Sequence, residues 1–116
     1  DGRVTEDIQT TLAALADPGR RRAVELLAER PLRTAELAEL AGASRPAAGR
    51  HLRELTERGL VEAAIDRQGT VYRLRTDRFF ALQHWLTDLW AYWRHQLDAT
   101  GNQSDRSDVT ERPLAR

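Results

Sequence analysis

Apolar positions in this chain return every three or four residues, with one interruption where they alternate instead. Val4, Ile8, Leu12 and Leu15 line one face of a predicted first helix that ends near Asp17. Asp17-Pro18 reads as a helix entry, an Asp N-cap with Pro in the first turn. Ala23, Val24, Leu26 and Leu27 then supply the buried side of a second helix up to Glu29, stopped by Pro31. Thr34 to Ala41 predicts a short third helix with Thr34 as N-cap and Leu37 and Leu40 on one face, and Gly42 provides the left-handed position that ends it. Ser44 caps a fourth helix from Arg45 to Arg58. Its Leu52 and Leu55 share the packing side, while Arg45, Gly49, Arg50 and Arg53 fall largely on others, and Gly59 closes it.

The interruption follows at once. Val61, Ala63 and Ile65 alternate with Glu62, Ala64 and Asp66. Beyond the turn Asp66-Arg67-Gln68-Gly69, Thr70, Tyr72 and Leu74 alternate with Val71, Arg73 and Arg75. A period of two is a strand period, and a two-stranded hairpin is marginal alone in water, so it must lie against the helices with its tip projecting. From Asp77 to Thr100 the helical period returns with Phe79, Leu82, Leu86, Leu89, Trp93 and Leu97, and Phe80, Trp85, Trp90 and Tyr92 lie outside that seam. Gly101 is the expected end. Residues 102–116 are polar and charged with few apolar anchors, and a disordered tail is expected there, beyond a single domain over residues 1–101.

This order predicts a mainly α fold with a small β-hairpin: a winged helix-turn-helix of five helices plus a two-stranded wing. The free side of the fourth helix is cationic and narrow. A DNA major groove admits one helix and presents guanine acceptors that Arg grips bidentately, so the helix is suited to double-stranded DNA.

Composition changes the picture in three places. At 116 residues and 41% hydrophobic content the chain supports one modest core, near the size where burial against a partner begins to matter. The absence of cysteine removes disulfides and thiolate metal sites, and no apolar run is long enough to span a membrane, so a cytoplasmic location without membrane association is expected. With no Met anywhere, residues preceding Asp1 are also expected. The net charge of zero argues against a general polyanion binder, but the distribution of charge points the other way. Residues 44–78 carry eight Arg against five acids, a net of +3, whereas residues 1–19 carry one Arg against four acids, a net of −3.

The runs Leu15-Ala16-Asp17-Pro18-Gly19-Arg20-Arg21-Arg22, Glu36-Leu37-Ala38, Ser44-Arg45-Pro46-Ala47, Arg50-His51-Leu52 and Gly59-Leu60-Val61 resemble the ArsR/SmtB family of bacterial repressors, over roughly residues 8–98. The last helix is similar to a subgroup with Trp-Leu followed by Trp-x-x-x-Leu-Asp, here Trp85-Leu86 and Trp93 to Asp98. The resemblance implies a homodimer built by the first and last helices, the fourth helix in the major groove, and the wing on the flanking minor groove or backbone. Two departures stand out. Gly49 occupies a position where many relatives have Ser, at about 1 kcal/mol relative to Ala inside a helix. Ala35, Ala38 and Ala41 fill a helix in which the family's arsenic and cadmium sensors carry Cys.

Candidate DNA-binding residues are Thr34, Ser44, Arg45, Pro46, Ala47, Gly49, Arg50, Arg53, Arg67 and Gln68. Arg45 and Arg50 are the candidates for base contact, Pro46 and Ala47 for a thymine methyl, Arg53 and the Thr34 hydroxyl for phosphates, and Arg67 and Gln68 for the wing tip. Candidate dimer residues are Ile8, Leu12, Leu82, Trp85, Leu86, Leu89, Trp90, Trp93 and Leu97. His51 is read as a packed side chain or a phosphate donor. Arg20, Arg21 and Arg22 open a helix at the end its dipole disfavours for cations, which calls for a nearby phosphate or acid.

His84, Asp88, His95 and Asp98 approach a metal-ligand pattern, but in the zinc-sensing relatives an Asp leads it where Leu82 stands here, and the register differs, so no metal and no cofactor are assigned. A small-molecule effector, if one exists, is expected at the aromatic last helix. The alternative is a winged-helix module that docks an acidic protein. No nucleophile-base or paired-carboxylate arrangement indicates an enzyme.

Overall fold

The computed structural model describes residues 2–100, so the expected tail and the Gly101 helix end lie outside the described residues. The chain divides into two compact units, one running to Leu82 and the other beginning at Gln83. Among the described residues the fold consists of five α-helices and one antiparallel hairpin: α1 (Gly2–Ala16), α2 (Pro18–Leu27), α3 (Thr34–Ala41), α4 (Arg45–Glu57), β1 (Val61–Asp66), β2 (Gly69–Leu74) and α5 (Phe80–Thr100). This is the expected winged helix-turn-helix class.

The first unit packs α2, α3, α4 and the hairpin around Leu26, Leu27, Leu32, Leu37, Leu52, Leu55, Leu60 and Val61, with Ala14 of α1 joining them. α1 departs from its predicted face. Thr11 and Ala14 are its buried residues, while Val4 and Leu12 remain about half exposed. Thr11 is tolerated in the interior because its hydroxyl donates to the Asp7 carbonyl four residues back at 2.9 Å.

The entry to α2 follows the predicted chemistry, since the Asp17 carboxylate accepts the Arg20 backbone N–H at 2.9 Å, and that bond holds the carboxyl below the ordinary Asp range. The helix ends at Leu27 rather than Glu29. α3 differs from expectation in two respects. Thr34 is the first helical residue and Arg33 is the cap, its backbone N–H donating to Glu36 Oε1 at 2.8 Å. Leu37 and Ala38 face the core, and Leu40 is 48% exposed, because the helix is only eight residues long and its single buried stripe passes through the former pair. Gly42 adopts φ 66°, the left-handed position anticipated for it.

The hairpin has the register Val61↔Leu74, Ala63↔Tyr72 and Ile65↔Thr70, with Asp66 opposite Gly69 across the Arg67-Gln68 turn. Leu32 adds a bridge to Tyr72, outside the two strands, which the residue pattern did not predict. The start of the last helix is also corrected: Thr76–Phe79 forms a 3₁₀ turn, and the α-helix begins at Phe80 rather than Asp77.

The second unit is α5 beyond Leu82. Trp85, Leu86, Leu89, Trp90, Tyr92 and Trp93 are all exposed there, between 41% and 62% of each residue's surface.

Candidate nucleic-acid interface

α4 starts with its donors satisfied. Ser44 Oγ accepts the Ala47 N–H at 3.1 Å, and Pro46 in the first turn has no N–H to satisfy. From there the helix separates its sides cleanly. Ala48, Leu52 and Leu55 are buried, and Arg45, Pro46, Arg50 and Arg53 are exposed, with Ala47 and Gly49 between. The same 3.6-residue period that anchors one side therefore presents three guanidiniums on the other.

Pairing distinguishes these arginines from five others in the unit. Arg20 pairs with Glu54 at 3.1 Å, Arg22 with Glu25 at 3.4 Å, Arg30 with Glu36 at 3.7 Å and Arg75 with Asp77 at 3.2 Å, and Arg33 pairs with Asp66. Arg45, Arg50, Arg53 and the wing's Arg67 have no ion pair among the described residues, and Arg73 shares that state. Cations on an ordered surface without internal acids are available to an external anion.

The N-terminus of α3 joins the two parts of this surface. A Cβ placed on Gly49 would lie 3.8 Å from the Thr34 methyl, so Thr34 sits beside the first turns of α4. Arg33, one residue earlier, reaches the hairpin turn, where its guanidinium donates to Asp66 and, at 3.0 Å, to Gln68 Oε1. The structure thus brings Thr34, Gly49 and Gln68 around one helix end, with Gln68 already engaged from within the chain. Nothing local in the sequence marks Arg33 for this role, because its partners lie 33 and 35 positions away. Gly49 has ordinary van der Waals space around it, so packing does not require a glycine there.

Two of the three arginines after Asp17 find their explanation in α1. Arg20 donates to the Ala14 carbonyl at 3.0 Å and to the Ala13 carbonyl at 3.2 Å, and Arg21 to the Leu15 carbonyl at 2.8 Å. The cations sit at the C-terminal carbonyls of one helix as well as at the start of the next, and the former supplies the favourable dipole end. His51 is a packed side chain. Its ring lies against Gly19, where an added Cβ would overlap Nε2, and Nδ1 is 3.9 Å from both Asp17 and Glu54. On α5 His84 and Asp88 approach at 3.6 Å as an exposed pair, and no three possible metal ligands converge among the described residues.

The profile of the bacterial regulatory protein arsR family matches residues 17–63, the span from the α2 cap into β1. A solved structure described as a possible transcriptional regulator for arsenical resistance is 38% identical, with 68% of this chain and 82% of that one covered and a TM-score of 0.59. The chain belongs to the ArsR family.

An ArsR-like transcriptional regulator from Rhodococcus sp. RHA1 aligns over 84% of this chain and 92% of its own at 26% identity and TM-score 0.68. The homodimeric winged helix-turn-helix DNA-binding domain of a possible ArsR-family regulator from Mycobacterium bovis aligns over 75% of this chain and 83% of its own at 28% identity and TM-score 0.60. No curated protein shows a significant match. This ArsR-family chain is a transcriptional regulator with a winged helix-turn-helix DNA-binding fold, not an enzyme. No helix among its described residues is long and apolar enough to cross a membrane.

Proposed function

We propose that the chain is a homodimeric repressor that reads an inverted-repeat operator in the bacterial cytoplasm. The observation that carries the DNA reading is the set of exposed arginines on the outward side of α4 that have no ion pair among the described residues, anchored by buried Ala48, Leu52 and Leu55. In this reading Arg45 and Arg50 contact base edges, Pro46 and Ala47 meet a thymine methyl, and Gly49 lets the backbone approach closely. Arg53, Thr34 and the Ser44 turn meet phosphates, and Arg67 with Gln68 reaches the flanking groove or backbone.

Dimerisation is supported by two sets of exposed apolar residues, each within its own unit: Val4 and Leu12 on α1, and Trp85, Leu86, Leu89, Trp90 and Trp93 on α5. The homodimeric M. bovis domain provides a precedent. Ile8 and Leu97 are each partly buried and keep some surface for a partner, whereas Leu82 is 8% exposed within the protomer and offers a partner little surface. Any effector would be a small apolar molecule at the aromatic helix. A two-fold dimer places its recognition helices about one DNA turn apart, so half-site centres about 10 to 11 base pairs apart are expected.

Selection from random duplexes by the purified protein, followed by sequencing, tests this directly. An enriched inverted repeat supports the reading. Failure to enrich any sequence, with retained binding to acidic polypeptides, would replace it with a protein-docking module.

A further inference from the structure

The turn of the wing carries an acid where a DNA-facing surface has no electrostatic use for one. Asp66 is held rather than offered. Arg33 Nη1 donates to Asp66 Oδ1 at 3.0 Å, Nη2 donates to Oδ2, and the same Nη2 donates to Gln68 Oε1 at 3.0 Å. Asp66 Oδ1 also accepts the Gln68 backbone N–H at 2.9 Å, closing the turn on itself. The backbone next to Arg33 grips the neighbouring strand: Leu32 N–H donates to the Tyr72 carbonyl at 3.0 Å and Tyr72 N–H to the Leu32 carbonyl at 2.8 Å. Arg33 is fixed in turn by its own N–H on Glu36. Two consecutive residues at the mouth of α3 therefore hold the wing by main chain at β2 and by a forked guanidinium at the tip.

A two-stranded hairpin has little stiffness of its own, and every β1 residue after Val61 is exposed, so the helices alone do not set where its tip stands. A bidentate guanidinium-carboxylate contact fixes angle as well as distance. Meanwhile Arg67, between the two clamped residues Asp66 and Gln68, is exposed and has no ion pair among the described residues.

The geometry assigns Arg33 and Asp66 as positioning residues for DNA recognition: their pair sets the wing against the helix-turn-helix so that Arg67 meets the duplex. The assignment rests on the DNA reading proposed above. It makes a counter-intuitive demand, because Asp66 then aids binding to a polyanion although its own charge opposes it.

Asp66→Asn is the discriminating variant. It keeps an acceptor for the Gln68 N–H and so spares the turn, but weakens the grip of Arg33. Direct electrostatics requires tighter operator binding on loss of the acid. The clamp requires binding weakened about threefold, the scale of a well-aligned exposed ion pair. That loss should vanish in an Arg67→Ala background, since Asp66 acts through Arg67. Hydrogen exchange supplies an arm that needs no DNA: the Arg67 to Thr70 amides should exchange about fivefold faster in Arg33→Ala, and Arg33→Lys should recover only part of the protection.

Tighter or unchanged operator binding by Asp66→Asn overturns the assignment, as does a loss that persists undiminished in Arg67→Ala. If the wild-type protein enriches no duplex, it is the DNA reading that fails. The clamp is then judged by exchange alone, and unchanged wing amides in Arg33→Ala would refute it.

Discussion

The unit ending at Leu82 and the stretch of α5 beyond it are written in the same hydrophobic period but treat it in opposite ways. In the first, the leucines of α2, α3 and α4 close on one another and even its exposed loops are tied by specific pairs: Arg20 to the end of α1, Asp17 to the start of α2, Arg33 to the wing. In the second, the largest aromatic cluster of the chain remains uncovered, with Trp85 at 43% and Trp93 at 54% exposure. A helical apolar stripe states that a face is to be covered and is silent about whether the cover comes from the same chain. The contrast separates residues that make the fold from residues available to make an assembly.

The largest expected effects should therefore differ in kind between the two regions. Leu52→Ala empties a fully buried site on α4 and should cost about 2–5 kcal/mol in urea unfolding. A paired Leu89→Ala/Trp93→Ala change on α5 should leave the unfolding of the monomer nearly unaltered but shift sedimentation from dimer to monomer at micromolar concentration and remove the concentration dependence of Tm. A wild-type chain that sediments as a monomer would break the comparison, leaving the aromatic face of α5 without the partner proposed for it.

Within the first unit, inward and outward glycines sharpen the same point. Gly19→Ala would push a methyl into the His51 ring and should destabilise by about 1–3 kcal/mol. Gly49→Ala meets only the Thr34 methyl, at 3.8 Å, and should stabilise the isolated protein by about 1 kcal/mol through helix propensity. If the same variant also loses operator affinity, Gly49 is explained by close approach of DNA; if affinity is retained, the glycine has no role in recognition.

The smallest effect concerns acid. The carboxyls of Asp17 and Asp66 are lowered, the first chiefly by the Arg20 backbone N–H and the second by the Arg33 guanidinium. Each contributes stability that is fully present above the unfolded Asp value of about 3.9 and is lost as pH falls through the lower folded value. Asp17→Asn should consequently flatten the decline of the urea midpoint below about pH 4 while hardly changing its slope near neutrality. Parallel acid limbs for wild type and variant would show that the cap carries no proton linkage.

Local chemistry is legible in the sequence wherever cause and effect lie within a few residues. Asp17 with Pro18, Ser44, Gly42 and the Asp66–Gly69 turn act on neighbouring backbone groups, and alternation against a three-to-four spacing is sufficient to separate hairpin from helix. The arginine-rich outward side of α4 follows from the same periodicity. Leu40 and α1 mark the boundary of that legibility, because a stripe with two possible buried edges is resolved only by what packs on it: Ala38 takes the place expected of Leu40, and Thr11 with Ala14 that of Leu12.

The order of elements, the caps at Asp17, Ser44 and Gly42 and the cationic side of the fourth helix are thus consequences of short-range geometry, and the linear chain is enough to specify them. Packing in three dimensions was needed to divide the arginines into those engaged within the protein and those left available. Arg20 and Arg21 are drawn to the carbonyls of α1, Arg33 to the wing across 33 residues, and Arg45, Arg50, Arg53 and Arg67 are left without internal acids among the described residues. All are the same residue type in a chain without lysine, and a guanidinium's partner is set by distance in space, which the linear spacing of charges does not encode.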